Sequence, residues 1–240
     1  MPASGRASPL VLNTFHIYIV ILIIVEHQMK KIAILGAGRV GASLAARLAQ
    51  SGYAVTVGVR SGGASPSDWA GLEVTFTDHA SASRDNPIVI NATPGETSLE
   101  RLSFMKAELH GKILIDVSNA TQRDAAGMSM SLLYPNASLG EHLQAALPDT
   151  FVVKTLNTMM FNVMVDPKIL DSRPTAFVSG NDTAAKATVS TVLEDLGWPA
   201  DWIEDLGDIT SARGPEAMFA IVPFALRQFG FRPFALTIAR

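Results

Sequence analysis

The sequence predicts an α/β fold: a doubly wound, mostly parallel sheet with a small C-terminal α+β portion. Two observations carry this. Short apolar runs alternate with segments of helical periodicity from residue 31 onward, the pattern of successive βα units. In the first such unit a buried-strand pattern runs straight into three glycines and then a helix. Composition agrees. The 240 residues are 48% hydrophobic and 17% charged, enough apolar material for a sizeable core and unlike a disordered chain.

The first unit spans Lys31 to Gly52, KIAILGAGRVGASLAARLAQSG. Lys31 to Leu35 reads as a strand buried on both faces. Gly36, Gly38 and Gly41 follow at G-x-G-x-x-G spacing. Val40, Leu44 and Leu48 then recur every four residues, so a helix begins inside the glycine run, and Gly52 ends it. The glycines differ in what they permit. Gly36 makes the tight turn, Gly38 lets backbone approach a pyrophosphate, and Gly41 lets helix pack on strand. The free N–H groups of the helix start face the phosphates. Strand before and helix after are the context that makes this motif a dinucleotide fingerprint.

The second strand is Ala54 to Val59, and its end selects the cofactor. An NAD site places an acid about 20 residues past the glycines. Here stand Gly58-Val59-Arg60-Ser61, with no acid until Asp68. Arg60 suits a 2′-phosphate through charge-assisted bonds, and Ser61, Gly62 and Gly63 add donors. NADP is therefore the expected cofactor.

The alternation continues with a strand over Leu72 to Phe76, a short helix capped by Asp78, and a strand over Pro87 to Asn91. A helix carrying Leu99, Leu102, Met105 and Leu109 follows, closed by Gly111. The fifth strand, Ile113 to Val117, ends in Ser118-Asn119. Ligands of doubly wound sheets lie beyond the carboxyl ends of the strands, so Thr93, Pro94, Ser118 and Asn119 fall on the cofactor side. Residues 120 to 137 read as a polar loop. Ser138 to Glu141 has capping-box form and opens a helix through Leu147. The sixth strand, Phe151 to Thr155, is followed by Leu156 to Phe161. Lys154 and Asn157 are the polar residues flanking this step. Met159, Met160, Phe161 and Met164 read as core by their spacing. After them come a strand over Thr175 to Ser179, a helix capped by Asp182 or Thr183 and ending at Gly197, and an edge strand over Asp201 to Glu204. The last helix begins near Pro215, runs over Glu216 to Arg227 and kinks at Pro223. It is apolar enough to need a partner: the sheet, an acceptor pocket, or a second subunit.

Other classes are disfavoured. Net charge is -3 with no long basic run, which argues against nucleic acid. There are no cysteines, and the five histidines are scattered, so no metal site is expected. Phe15 to Val25 is an apolar run of eleven residues, too short for a membrane-spanning helix of about 20. Residues 1–28 form an N-terminal extension, read as a non-native start, a peripheral anchor or a signal peptide, with Met29-Lys30-Lys31 as the natural beginning of the domain.

Several stretches resemble the family of NADP oxidoreductases that use the deazaflavin coenzyme F420: GAGRVG with GVRS after strand two, IDVSNA after strand five, VVKTLNTM, Phe177 to Asp182, and Ser211 to Arg213. The similarity runs from about Met29 to Phe229 and extends to the NADPH domain of metalloreductases. It implies an NADP-binding Rossmann domain (residues 29–155) and a small C-terminal portion (156–240) for the acceptor or dimer contacts. It also implies hydride transfer to a deazaflavin or flavin acceptor and usually a homodimer; a cytoplasmic location is expected. Cofactor contacts implied by motif are Gly36, Gly38, Arg39, Val40, Gly41, Arg60, Ser61, Thr93, Asn119 and Asn157. Val59 stands where the family often has Ser. No catalytic residue is assigned. Two other readings remain: a β-hydroxyacid or imine reductase relative using Lys154 as proton donor and Asn157 as orienter, and an NADP-sensing protein without turnover.

Overall fold

The computed structural model describes residues 31–60, 69, 73–123 and 129–238, with backbone alone at positions 123, 129 and 130. The N-terminal extension and Ser61, Gly62, Gly63, Asp68 and Leu72 lie outside the described residues. In chain order come β1 (Lys31–Leu35), α1 (Arg39–Gln50), β2 (Ala54–Val59), β3 (Thr75–Asp78), α2 (His79–Asp85), β4 (Ile88–Asn91), α3 (Gly95–Ser103) and α4 (Lys106–Leu109). Then follow β5 (Ile113–Asp116), β6 (Thr121–Arg123), β7 (Ser129–Leu132), α5 (Leu139–Ala146), β8 (Phe151–Thr155) and α6 (Phe161–Val165). The chain continues through β9 (Ala176–Gly180), α7 (Thr183–Asp195), β10 (Ile203–Asp205), α8 (Arg213–Met218) and α9 (Val222–Phe229).

Eight of the described strands form one sheet in the order β10-β9-β8-β5-β4-β1-β2-β3. All neighbours are parallel except β8 and β9, which pair antiparallel with Lys154 opposite Ser179. The doubly wound fold is thus as the sequence predicts, and residues beyond 155 add β9 and β10 to the same sheet. Strand β1 is flanked by β2 on one side and β4 on the other. The winding reverses there, which opens a crevice above its carboxyl end.

The core has two layers, one on each face of the sheet. Leu44, Ala45 and Leu48 of α1 join Val189, Val192 and Leu193 of α7 on one face. Leu102, Leu109, Leu139 and Leu143 cover the other. Near-continuous burial of β1, β4, β8 and β9 follows from being sandwiched between the two layers.

The predicted caps form. Ser81 N donates to Asp78 Oδ1 at 2.9 Å, Glu141 N to Ser138 Oγ at 3.1 Å, and Ala185 N to Asp182 Oδ1 at 2.7 Å. Most boundaries agree to within two residues, and four elements depart further. Strand β3 starts at Thr75, because its ladder with β2 runs from Thr56↔Thr75 to Val59↔Asp78. The helix expected through Leu109 divides after Ser103: Phe104 closes α3, and Met105 N turns to Leu102 O at 3.0 Å, three residues back, before α4 begins. The polar loop over 120–137 contains the β6–β7 hairpin, with Thr121 opposite Leu132; strands this short carry too few residues to show alternation. The last helix becomes α8, a 3-10 turn over Phe219–Ile221, and α9. Pro223 sits in the first turn of α9, where its missing N–H costs nothing, so the expected kink is a break one turn earlier.

Candidate cofactor and active site

The site grows out of the turn after β1. Gly36 N donates to Gly58 O at 2.9 Å, and Ala92 N to Leu35 O at 2.9 Å, which locks the ends of β1, β2 and β4 together. Gly36 has φ +105°, and a Cβ there would lie 2.7 Å from Ala92 O. A Cβ at position 41 would stand 2.0 Å from the Gly36 carbonyl oxygen. Only glycine lets α1 approach the turn this closely. Gly38 faces open space, with nothing within 4 Å of a Cβ built on it. It is also the N-cap of α1, which has no side-chain cap. The helix start therefore presents uncapped N–H groups to an open cradle, and this fits a dinucleotide pyrophosphate.

A cleft of about 1040 Å³ spreads from this turn across the carboxyl ends of the strands. Gly36, Gly38, Arg39, Val40, Arg60, Thr93, Pro94, Ser118 and Asn119 all line it. Gly41 and Asn157 do not appear among its walls. Gly41 lies beneath the turn. Asn157 is buried and braces Asn119: Asn119 Nδ2 donates to Asn157 O at 2.8 Å, and Asn157 Nδ2 to Asn119 Oδ1 at 2.9 Å. Leu156, just before it, takes φ +58°, a left-handed backbone unusual for leucine. That strain turns the chain sharply off β8 and aims the Asn157 side chain back at Asn119.

Below the cleft runs a buried polar network. Asn91 Nδ2 donates to Asp116 Oδ1 at 2.8 Å and to Ser98 Oγ at 3.0 Å, while Thr93 Oγ1 donates to Asn91 Oδ1 at 2.6 Å. Lys154 Nζ donates to Asp116 Oδ2 at 2.8 Å and to the Ser118 carbonyl, and pairs with Glu216 Oε1 at 3.1 Å. Glu216 in turn accepts from Leu139 N and Gly140 N at the start of α5. Burial alone would lower the Lys154 pKa, but the Asp116 and Glu216 carboxylates outweigh it and raise it. Lys154 is thus a buried ammonium, 1% exposed, that fixes Ser118 from below and does not line the cleft.

The two ends of the cleft differ in chemistry. At one end Arg60 is joined by His79, Glu96 and Arg101. His79 is held below the usual imidazole range, by burial first and then by the positive charge of Arg101. At the other end the walls are apolar: Met159, Met160, Phe161 and Met164 face Phe219, Val222, Leu226 and Phe231. Met159 and Met164 belong to the core as predicted, and they line the cleft as well. Arg39 spans the middle, its guanidinium 4.9 Å from the Phe231 ring centroid and 6.0 Å from that of Phe161. The C-terminal tail is tied down beside this wall by Met160 N to Phe234 O (3.0 Å) and Leu236 N to Thr158 O (2.8 Å).

Sequence reasoning missed His79, Arg101 and Phe231. His79 was within reach, because β3 must lie beside β2 and its end beside Arg60. Arg101 had no signal, since its place depends on how α3 packs. Among the described residues no group of three or more His, Asp or Glu is placed to hold a metal. None of their helices is long and apolar enough to cross a membrane.

Comparison with known proteins agrees with this geometry. The family described as NADP oxidoreductase, coenzyme F420-dependent, matches residues 31–120. The chain is 32% identical over 200 residues to metalloreductase STEAP3 of Rattus norvegicus, covering 81% of this chain and 37% of that protein. It is 28% identical over 151 residues to the F420-dependent NADP reductase of Methanocaldococcus jannaschii, covering 61% of this chain and 65% of that one. The chain therefore spans less than two thirds of either curated relative. A crystal structure of a candidate F420-dependent NADP-reductase from Arthrobacter sp. FB24 superposes with TM-score 0.80 at 39% identity, over 88% of this chain and 100% of that one. Full coverage of a relative at this identity and TM-score places the chain in the coenzyme F420-dependent NADP oxidoreductase family, whose members are NADP-dependent oxidoreductases.

Proposed function

We propose that the protein transfers a hydride between NADPH and a planar flavin-like or deazaflavin acceptor. The observation that carries this is the apolar end of the cleft, which opens directly off the dinucleotide turn. Met159, Met160, Phe161 and Phe219 offer flat, polarisable surface and no proton donor. Bound NADPH supplies the hydride. The chain then has to hold two rings in contact and exclude water, and orientation of this kind contributes a large part of such a barrier.

In this reading Gly36, Gly38 and Gly41 shape the pyrophosphate cradle, Arg39 and Val40 flank it, and Arg60 with Ser61 receives the 2′-phosphate. Thr93, Pro94 and Asn119 support the nicotinamide half, with Asn157 acting through Asn119. The reductase reading that needs Lys154 as proton donor finds that ammonium buried under Ser118 and engaged three times. The proposal includes a cytoplasmic homodimer. Exposed Ile221, Phe224 and Phe229 give it a subunit surface.

The test is to mix protein and NADPH with flavin, deazaflavin, imine and keto acceptors and follow nicotinamide absorbance. Oxidation of NADPH by the flavin or deazaflavin acceptors alone is expected. Faster turnover with imines or keto acids would replace this reading, and binding without any turnover would make the protein a nucleotide sensor.

A further inference from the structure

The Arg60 end of the cleft holds more anion-binding chemistry than one arginine. Arg60 follows the last residue of β2, and His79 follows the last residue of β3, whose Asp78 is the ladder partner of Val59. The sheet therefore puts the two side by side. Arg101 reaches the same cleft wall from α3. Its Nη2 donates to Thr97 Oγ1 at 3.0 Å, while its Nη1 is buried with no hydrogen-bond partner among the described residues. A buried donor left unpaired is costly, and an arriving anion would satisfy it.

We propose that His79 and Arg101, together with Arg60, receive the 2′-phosphate of NADPH, and that His79 takes up a proton as it does so. The inference rests on the NADP reading above and adds two specificity-determining residues to it. The charges facing His79 are Arg101 from α3, Arg60 from the end of β2, and Asp78 beside it, and the Glu96 carboxylate in the first turn of α3 lines the same end of the cleft. Asp78 is committed to capping α2, through Ser81 N at 2.9 Å and Ser81 Oγ at 2.8 Å. Without ligand, burial and the two guanidinium groups keep the imidazole neutral near pH 7. A phosphomonoester dianion placed among these groups reverses the local field and favours imidazolium. The phosphate itself has a second pKa of about 6. A cationic pocket lowers that value, which releases protons. Net proton uptake on binding therefore reports the histidine and not the ligand.

The experiment is calorimetric titration of the full chain with NADPH and with NADH at pH 7, in two buffers of different ionisation enthalpy. Wild type should take up protons with NADPH and none with NADH. His79→Gln should abolish the uptake and weaken NADPH about 10-fold. Arg101→Ala should weaken NADPH by roughly 10- to 150-fold, with Arg101→Lys recovering part of the loss. NADH affinity should stay unchanged throughout. No proton uptake by the wild type overturns the proposal without any variant being needed, as does equal weakening of both nucleotides in the variants. A wild type that does not prefer NADPH to NADH fails at the underlying NADP reading instead.

Discussion

Single residues in this protein are fixed by what surrounds them more than by their own chemistry. Lys154 shows it best. On β8 it is fully buried, and its charge is matched by Asp116 and Glu216. Removing one member of a buried ion group leaves the others uncompensated, at a cost of roughly 3–5 kcal/mol. Lys154→Met should therefore lower the urea midpoint sharply, while a Lys154→Met, Asp116→Asn double variant should lose less than the sum of the singles. Additive losses would mean that the pair is not energetically coupled. Gly41 is the second case. The methyl of Gly41→Ala would meet the Gly36 carbonyl oxygen at 2.0 Å, and backbone cannot move aside as a side chain can. That variant should lose dinucleotide binding, checked by NADPH titration, even where circular dichroism shows a folded chain.

Among the elements, the tail after α9 is the one whose contribution is most separable. It touches the body through Met159↔Ala235 pairing and the Thr175–Thr237 hydroxyl contact, and it brings the ring face of Phe231 to the Arg39 guanidinium. Truncation after Gly230 should raise KM for the acceptor more than Kd for NADPH, as steady-state kinetics beside binding titration will show. Equal effects would place the tail on the dinucleotide instead. The βα alternation from β1 to β5 was legible because its strands are mostly buried apolar runs and its first three helices open on Gly38, Asp78 and Pro94. What was not legible shares one physical cause, namely packing and bonding that override the local pattern. The start of β3 is set by its ladder with β2, the break after α3 by the turn in which Met105 N bonds Leu102 O, and the apolar wall by a tail returning to Met160. The dinucleotide half of the site could be read because glycine spacing is local. The apolar half could not, because Phe219, Leu226 and Phe231 come together only through the fold.

For the whole molecule, stability should be bounded in pH on both sides. His79 has a lowered pKa in the folded state, so the unfolded chain binds more protons as pH falls through about 6.5, and stability declines there. The lowered carboxyl pKa values of Glu141 and Asp208, which reflect Arg213 and Thr210 contacts, and of Asp205, where burial is outweighed by Lys186 and the Gly207 N–H together, act the same way nearer pH 4. Their stabilisation is present above the unfolded value and lost below it. The Lys154 pKa is raised, so its contribution is complete below about 10.4 and fades as pH climbs through the folded value. Urea midpoints measured from pH 4 to 10 should form a plateau, and His79→Gln should flatten its acid shoulder between about pH 5 and 7. An unchanged shoulder would assign it to other groups. In the proposed reading NADPH selection rests on electrostatics at the end of β2, where Arg60 stands exposed at the cleft and no acid precedes it in the strand. The measurement that bears most directly on the NADP reading is titration of wild type and Arg60→Ala with NADPH and NADH at one ionic strength. Wild type should prefer NADPH, and the variant should lose roughly 10- to 150-fold in NADPH affinity with NADH little changed. Equal losses for both nucleotides, or an unchanged NADPH affinity, would contradict it.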